Sequence, residues 1–227
     1  MSAEAACPVG SYCPTTGLSA ALACEPGSYC PASGESAVTP CAAGTYADGT
    51  GQTQCANCTA GSFSSTVGAN SSSLCVPCAA GYYCPTAGLS SSALNCTVSS
   101  FCPSGSSAPT ACTAGSYCAL SDLSAATPCI LGSYCSSTGL SATAPCTEGA
   151  YCPSTGMSMV TACTVKAYCP GTGNSAVVVC VAGNYCPTAS LSAMVVCNIS
   201  SYCPLGNASA MTACSIGSTC PTTGVWM

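Results

Sequence analysis

Cysteine is the residue type whose number and spacing in this chain could support chemistry, for it fills 26 of 227 positions. Two pairs, Cys55 with Cys58 and Cys75 with Cys78, have the Cys-x-x-Cys spacing used by zinc sites and dithiol redox centres. A zinc site would need further soft ligands at matching intervals, yet the chain contains no histidine and its other cysteines keep a different spacing. A redox centre needs a strand-to-helix setting or flanking charge to lower a thiol pKa, and neither is visible. A metallothionein-like store would need reduced thiolates and would leave the recurring Tyr-Cys-Pro turns without purpose. The cysteines therefore read as structural disulfides, with no metal and no cofactor beyond covalent glycans.

Other reactive groups are sparse. The acids Glu4, Glu25, Glu35, Asp48, Asp122 and Glu148 are spread along the sequence, and Lys166 is the only cation. Acid–base or nucleophilic catalysis requires such groups to converge, so no enzyme activity is expected. Lys166 with a serine would suggest a Ser-Lys pair, but its place in a turn makes it a solvent-facing residue. Five Asn-x-Ser/Thr sequons stand at Asn57, Asn70, Asn95, Asn198 and Asn207. Charged residues are only 3% of the chain, against about 25% in an ordinary soluble domain, so glycans would be a needed source of solubility.

The elements that hold these residues repeat. A first cysteine recurs at Cys7, Cys24, Cys41, Cys58, Cys78, Cys96, Cys112, Cys129, Cys146, Cys163, Cys180, Cys197 and Cys214, mostly 17 residues apart. From it the unit runs five residues to Cys-Pro, then two to Gly, one to Ser-Ala, and four to the next cysteine. A short fixed period marks a quasi-one-dimensional array in which units contact their neighbours. The fold expected is a small disulfide-rich repeat array over residues 1–227, an elongated rod or solenoid of thirteen units with short extended pieces, turns and almost no helix.

Within a unit the third residue after the first cysteine is glycine in ten of thirteen copies, with Ser99, Lys166 and Ser200 as exceptions. A turn with positive φ fits there. A second turn is marked by Gly17, Gly34, Gly88, Gly139, Gly156, Gly173 and Gly224, replaced by Asp122, Ser190 and Asn207. Asp and Asn tolerate the left-handed region, so this is read as an αL position with Ser190 as its awkward copy. An aromatic precedes the second cysteine at Tyr12, Tyr29, Tyr83, Phe101, Tyr117, Tyr134, Tyr151, Tyr168, Tyr185 and Tyr202. Packing on the disulfide and turn is the preferred role, because a unit this small has little other core. A tyrosine ladder facing carbohydrate or another partner is the second reading.

Two units are irregular, and they bear on connectivity. Ala47 and Ser64 replace the second cysteine, while Cys55 and Cys75 appear three residues before the next unit. Pairing the second cysteine forward would demand Cys55 with Cys58 and Cys75 with Cys78, rings too tight for good structural bridges. Pairing within units joins Cys7 with Cys13, Cys24 with Cys30, Cys41 with Cys55, Cys58 with Cys75, Cys78 with Cys84, Cys96 with Cys102 and Cys112 with Cys118. It also joins Cys129 with Cys135, Cys146 with Cys152, Cys163 with Cys169, Cys180 with Cys186, Cys197 with Cys203 and Cys214 with Cys220.

The stretch from Cys41 to Cys84, CAAGTYADGTGQTQCANCTAGSFSSTVGANSSSLCVPCAAGYYC, resembles the cysteine-rich repeats of ephrin-receptor-like and tumour-necrosis-factor-receptor-like extracellular proteins. The 17-residue units resemble the shortened form of that repeat in long surface proteins of algae and other protists. The family bridges its first cysteine to the one just before the CxxC, which agrees with pairing within units. The resemblance implies a disulfide-laddered extracellular stalk and no particular ligand.

Cysteine density points to an oxidising, extracellular compartment. A net charge of −5 without a basic patch argues against nucleic acid and anionic membrane surfaces as partners. The longest aliphatic stretch, around Val177 to Ala182, is far short of the ~20 residues of a membrane span. Met1 to Ala6 has neither a basic region nor an apolar core of a secretion signal, so a mature chain or a window of a longer one is expected.

The functional expectation is a glycosylated structural protein of a flagellar hair, surface fibre or matrix strand, assembling head to tail as a homopolymer. Met1-Ser-Ala matches the Leu-Ser-Ala run that follows the second turn of other units, and Trp226, the only tryptophan, would be the buried anchor of the joint. The alternative is the stalk or ligand-binding ectodomain of a receptor or adhesin.

Overall fold

The structure, a computed structural model, describes residues 7–15, 20–91, 94–198, 201–203 and 206–214. It is a disulfide-rich repeat array. The described residues form twelve two-stranded sheets and a single 3-10 turn, Ser72–Leu74, in the longest repeat. No helix among them is long and apolar enough to cross a membrane. The array divides into two compact blocks, Met1–Thr110 with Leu120–Ala125 and Ala111–Ala119 with Ala126–Met227.

Each repeat is one hairpin. In the second block, Ser133–Tyr134 pairs antiparallel with Ala144–Pro145, Ser133 facing Pro145 and Tyr134 facing Ala144. The first strand follows the first turn, which closes where the Ser133 N–H donates to the Ile130 carbonyl at 3.1 Å and Gly132 sits at φ 77°. A positive φ at the third residue of a four-residue turn is the type II geometry, which favours glycine. Hydrogen bonds are too few within one such hairpin to hold it, and two strands alone are marginal in water.

Neighbouring repeats supply the rest through four recurring backbone bonds. Between the repeats that begin at Cys112 and Cys129, Gly115 N–H donates to Cys135 C=O at 2.9 Å and Cys118 N–H to Leu140 C=O at 2.8 Å. In return Cys129 N–H donates to Gly115 C=O at 2.9 Å and Gly139 N–H to Cys112 C=O at 2.7 Å. The same set joins repeats of the first block, where Gly27 N–H meets Ala47 C=O at 2.8 Å and Cys30 N–H meets Gln52 C=O at 2.9 Å. Thus the amides and carbonyls beside each disulfide are used, and no buried side-chain polar atom of the described residues lacks a partner.

The core is sulfur. Most cysteines are buried, from Cys24 and Cys30 in the first block to Cys180 and Cys186 in the second, while no other large apolar side chain of the described residues is fully buried. Ala47 and Ser64, which take the second-cysteine position in the irregular repeats, are buried as well, at 3% and 1% exposure. Their backbones keep the repeat pattern: Ala47 N–H donates to Ala69 C=O at 3.0 Å, and Ser64 C=O accepts from Gly44 N–H at 2.7 Å. The backbone winding is therefore the same whether the bridge sits there or has moved to Cys55 and Cys75.

Both turn positions adopt the left-handed conformation expected of them. Gly34, Gly88, Gly139, Gly156 and Gly173 have φ between 71° and 80°, and Asp122, Ser190 and Asn207 have φ of 61°, 61° and 68°. Ser99 and Lys166 take φ of 74° and 76° at the first turn. Gly51 fills the αL position in the first irregular repeat, and Gly68 and Gly105 fill it in two repeats of unusual length. Gly17, Ser200 and Gly224 lie outside the described residues.

Candidate functional site

The described cysteines form twelve disulfides, all within repeats, with Cα–Cα distances from 5.5 Å at Cys58–Cys75 to 6.3 Å at Cys24–Cys30. Cys41 joins Cys55 across 14 residues and Cys58 joins Cys75 across 17, so neither Cys-x-x-Cys pair bonds internally. Both motifs are the meeting points of successive bridges. Among the described residues no cysteine is a free thiol. The Cys214–Cys220 pair falls partly outside the described residues, since Cys220 does.

Lys166 is an exposed turn residue whose N–H donates to Cys186 C=O at 3.1 Å. Glu35 turns back on its own loop, its carboxylate accepting from Ala32 N–H at 3.3 Å while its backbone carbonyl accepts from Cys13. Asp122 serves at an αL turn, its N–H bonded to Cys96 C=O at 3.0 Å. These charged groups are thus fixed by backbone roles in different repeats.

The five sequon asparagines are all exposed. Asn57 and Asn95 end the outer strands Ala56–Asn57 and Leu94–Asn95, Asn70 precedes the 3-10 turn, Asn198 follows a buried cysteine, and Asn207 occupies an αL turn. Asn57 is the most constrained. Its Oδ1 would lie 3.1 Å from a β-carbon built on Gly88, so the carboxamide leans on a turn two repeats onward.

Aromatics sit half-buried on the inner strand of each hairpin, opposite small or aliphatic residues: Tyr29 faces Thr39, Tyr83 faces Leu94, Tyr151 faces Thr161 and Tyr185 faces Val195. One part of each ring is covered and another meets solvent. Tyr46 and Phe63 hold this place in the irregular repeats, facing Ala56 and Val76. Sequence reasoning missed both because it tied the aromatic to a following cysteine. The constant signal was its distance from the turn glycine.

The outer strand is exposed in every described repeat, and its backbone carries an unused edge. In the repeat beginning at Cys163, Tyr168 faces Val178 and Ala167 faces Val179. Cys180 N–H donates to Lys166 C=O at 3.1 Å, so by the alternation of an antiparallel ladder Ala167 and Val179 form the non-bonded pair. The N–H and C=O of Val179 point away from the hairpin. The Ala167 N–H, which also points out, is taken by the turn at Thr164 C=O, 3.2 Å away.

The described repeats of known register have such an outward residue just before the next first cysteine. In the first block the series is Ala23, Pro40, Asn57, Pro77 and Asn95. Proline has no N–H to waste there, and Asn57 and Asn95 are the two sequons of Asn-Cys-Thr form. In the second block Pro128 and Pro145 are followed by Ala162, Val179, Val196 and Ala213. Proline placement at this position was visible in the sequence, but only the strand register shows what it does.

Met1 and Trp226, expected to form an assembly joint, lie outside the described residues. Compared with known proteins, the chain matches no family model and no curated protein sequence.

Proposed function

We propose that this chain is a glycosylated, disulfide-stapled structural protein that forms or lengthens an extracellular filament such as a flagellar hair, surface fibre or matrix strand. One observation carries the reading. Within each block the described repeats meet their neighbours through the same backbone bonds, an interface that can be repeated indefinitely without new side-chain chemistry. The buried disulfides agree with an oxidising setting outside the cytosol, and the likeness of Cys41 to Cys84 to ephrin-receptor-like repeats points the same way. In this proposal the chain is non-enzymatic, its glycans sit on the exposed sequon asparagines, and its partner is a further copy joined head to tail near Met1 and Trp226.

A stalk or ligand-binding ectodomain is the second reading, favoured by the half-exposed aromatics at fixed spacing, which suit stacking on carbohydrate. Electron microscopy of the secreted, purified chain tests the first reading. Filaments that disappear in a Trp226→Ser variant or on deletion of residues 1–6, with disulfides intact, are the expected result. Monomeric particles throughout, together with retention on a carbohydrate array, would favour the second.

A further inference from the structure

We propose that the open outer-strand edge at Val179 and Val196 pairs with the same edge of a second copy, giving lateral association of two chains. Several observations carry this independently of the end-to-end joint. The first is hydrogen-bonding geometry. The outward N–H and C=O of Val179 and of Val196 find no backbone partner within the chain among the described residues. Another extended strand is the partner that satisfies such a donor–acceptor edge, which is why exposed edges promote strand addition.

The side chains on this edge are apolar and uncovered. Val178, Val179, Val195 and Val196 are 40%, 53%, 37% and 69% exposed, and Val181, next in the chain, is 53% exposed. Three other outer strands, Thr39–Pro40, Thr127–Pro128 and Ala144–Pro145, offer neither aliphatic surface nor the free N–H. In the first block each repeat from Pro40 to Asn95 ends this strand in proline or in a sequon asparagine. Both devices block edge pairing, one by removing the donor and the other by offering a site for a bulky glycan. The block is missing at Val179 and Val196, and also at Ala23, Ala162 and Ala213; the two valine strands alone combine its absence with an exposed valine at both strand positions. Asn198 stands close after Val196, and the Asn207 turn meets the chain just after Val179, its N–H donating to Cys180 C=O at 2.7 Å, so glycan at either asparagine would crowd this contact.

Charge identifies the occupant. From Gly149 to Met227 the chain has no acid and Lys166 as its one cation, so nothing here recognises a charged partner and little repels an identical one. A second copy brings the same edge, and an antiparallel two-fold pairing satisfies both copies with the same residues.

The test is sedimentation velocity, across a wide concentration range, of the full chain carrying Trp226→Ser, which takes the proposed end-to-end joint out of play. This parent is expected to pass from monomer to dimer. With Val179→Pro and Val196→Pro added it should stay monomeric throughout, and it should fold, because four repeats already carry proline at this place; non-reducing peptide mapping checks its bridges. Val178→Thr with Val179→Thr keeps the backbone donor while removing apolar surface, and should weaken dimerisation about tenfold. A parent that is monomeric at every concentration overturns the proposal, as does a double-proline variant that dimerises like the parent. With Trp226 restored, double-proline chains that form unpaired filaments separate the loss of this edge from a failure of the filament reading.

Discussion

At the scale of single residues, glycine is used in two ways, which the repeat's substitutions distinguish. A β-carbon built on Gly115 runs into the Gly156 carbonyl two repeats onward, and one on Gly81 would come within 2.5 Å of the Asp122 carbonyl oxygen. Gly139 has φ of 71° and open space around its missing side chain. Gly115→Ala therefore meets both strain and collision and should cost about 2–4 kcal/mol, while Gly139→Asn, a residue type the position accepts at Asn207, should cost under about 1. Thermal unfolding under oxidising conditions compares them; equal losses would mean that the carbonyl contact does not matter. The αL turns were legible because Asp and Asn stand in for glycine. The carbonyl contact was not, since it joins residues 41 apart, at Gly115 and Gly156, that only the winding brings together. A second residue-scale outcome concerns the Asn-Cys-Thr sequons. Asn95 should carry glycan at higher occupancy than Asn57, whose carboxamide rests on the Gly88 turn; intact-glycopeptide mass spectrometry showing the reverse would overturn that order.

At the scale of the hairpin, the bridge and the backbone bonds are separable, as the irregular repeats demonstrate. Replacing Cys41 and Cys55 together by Ser should remove about 3 kcal/mol, and the shorter ring of Cys129 and Cys135 about 2, by loop-entropy arguments. Because Ala47 already holds its place without a disulfide, amide protection at Gly27, which donates to Ala47 C=O, should survive loss of the Cys41–Cys55 bridge. Hydrogen exchange measures this, and collapse of protection at Gly27 would show the bridge to be the true organiser. Connectivity could be read from sequence because two displaced cysteines left one consistent pairing. The open edge could not, since the facing of an N–H in or out depends on which residues of the ladder form the bonded pair, and neighbouring positions differ in nothing that composition records.

At the scale of the whole molecule, stability is expected to be a sum over like interfaces, and a deletion in register tests it. Removing Cys146–Ala162, one full repeat inside the second block, brings Cys163 directly after Ala162's predecessor repeat. Gly132 N–H then finds Cys169 C=O in place of Cys152, Cys135 N–H finds Asn174 C=O in place of Met157, and Gly173 N–H reaches Cys129 C=O in place of Gly156. Each new partner already plays that role for the deleted repeat. The shortened chain should therefore fold with its remaining bridges unchanged and with the amides of Gly132 and Cys135 still protected. Removing only Pro153–Ala162 takes away Gly156 and Met157 without replacement, leaving Cys129 C=O and Cys135 N–H buried and unpaired at about 1–3 kcal/mol each. Non-reducing peptide mapping and hydrogen exchange read both variants. Scrambled bridges after the in-register deletion, or normal protection after the out-of-register one, would mean that the repeats are held by something other than their neighbours.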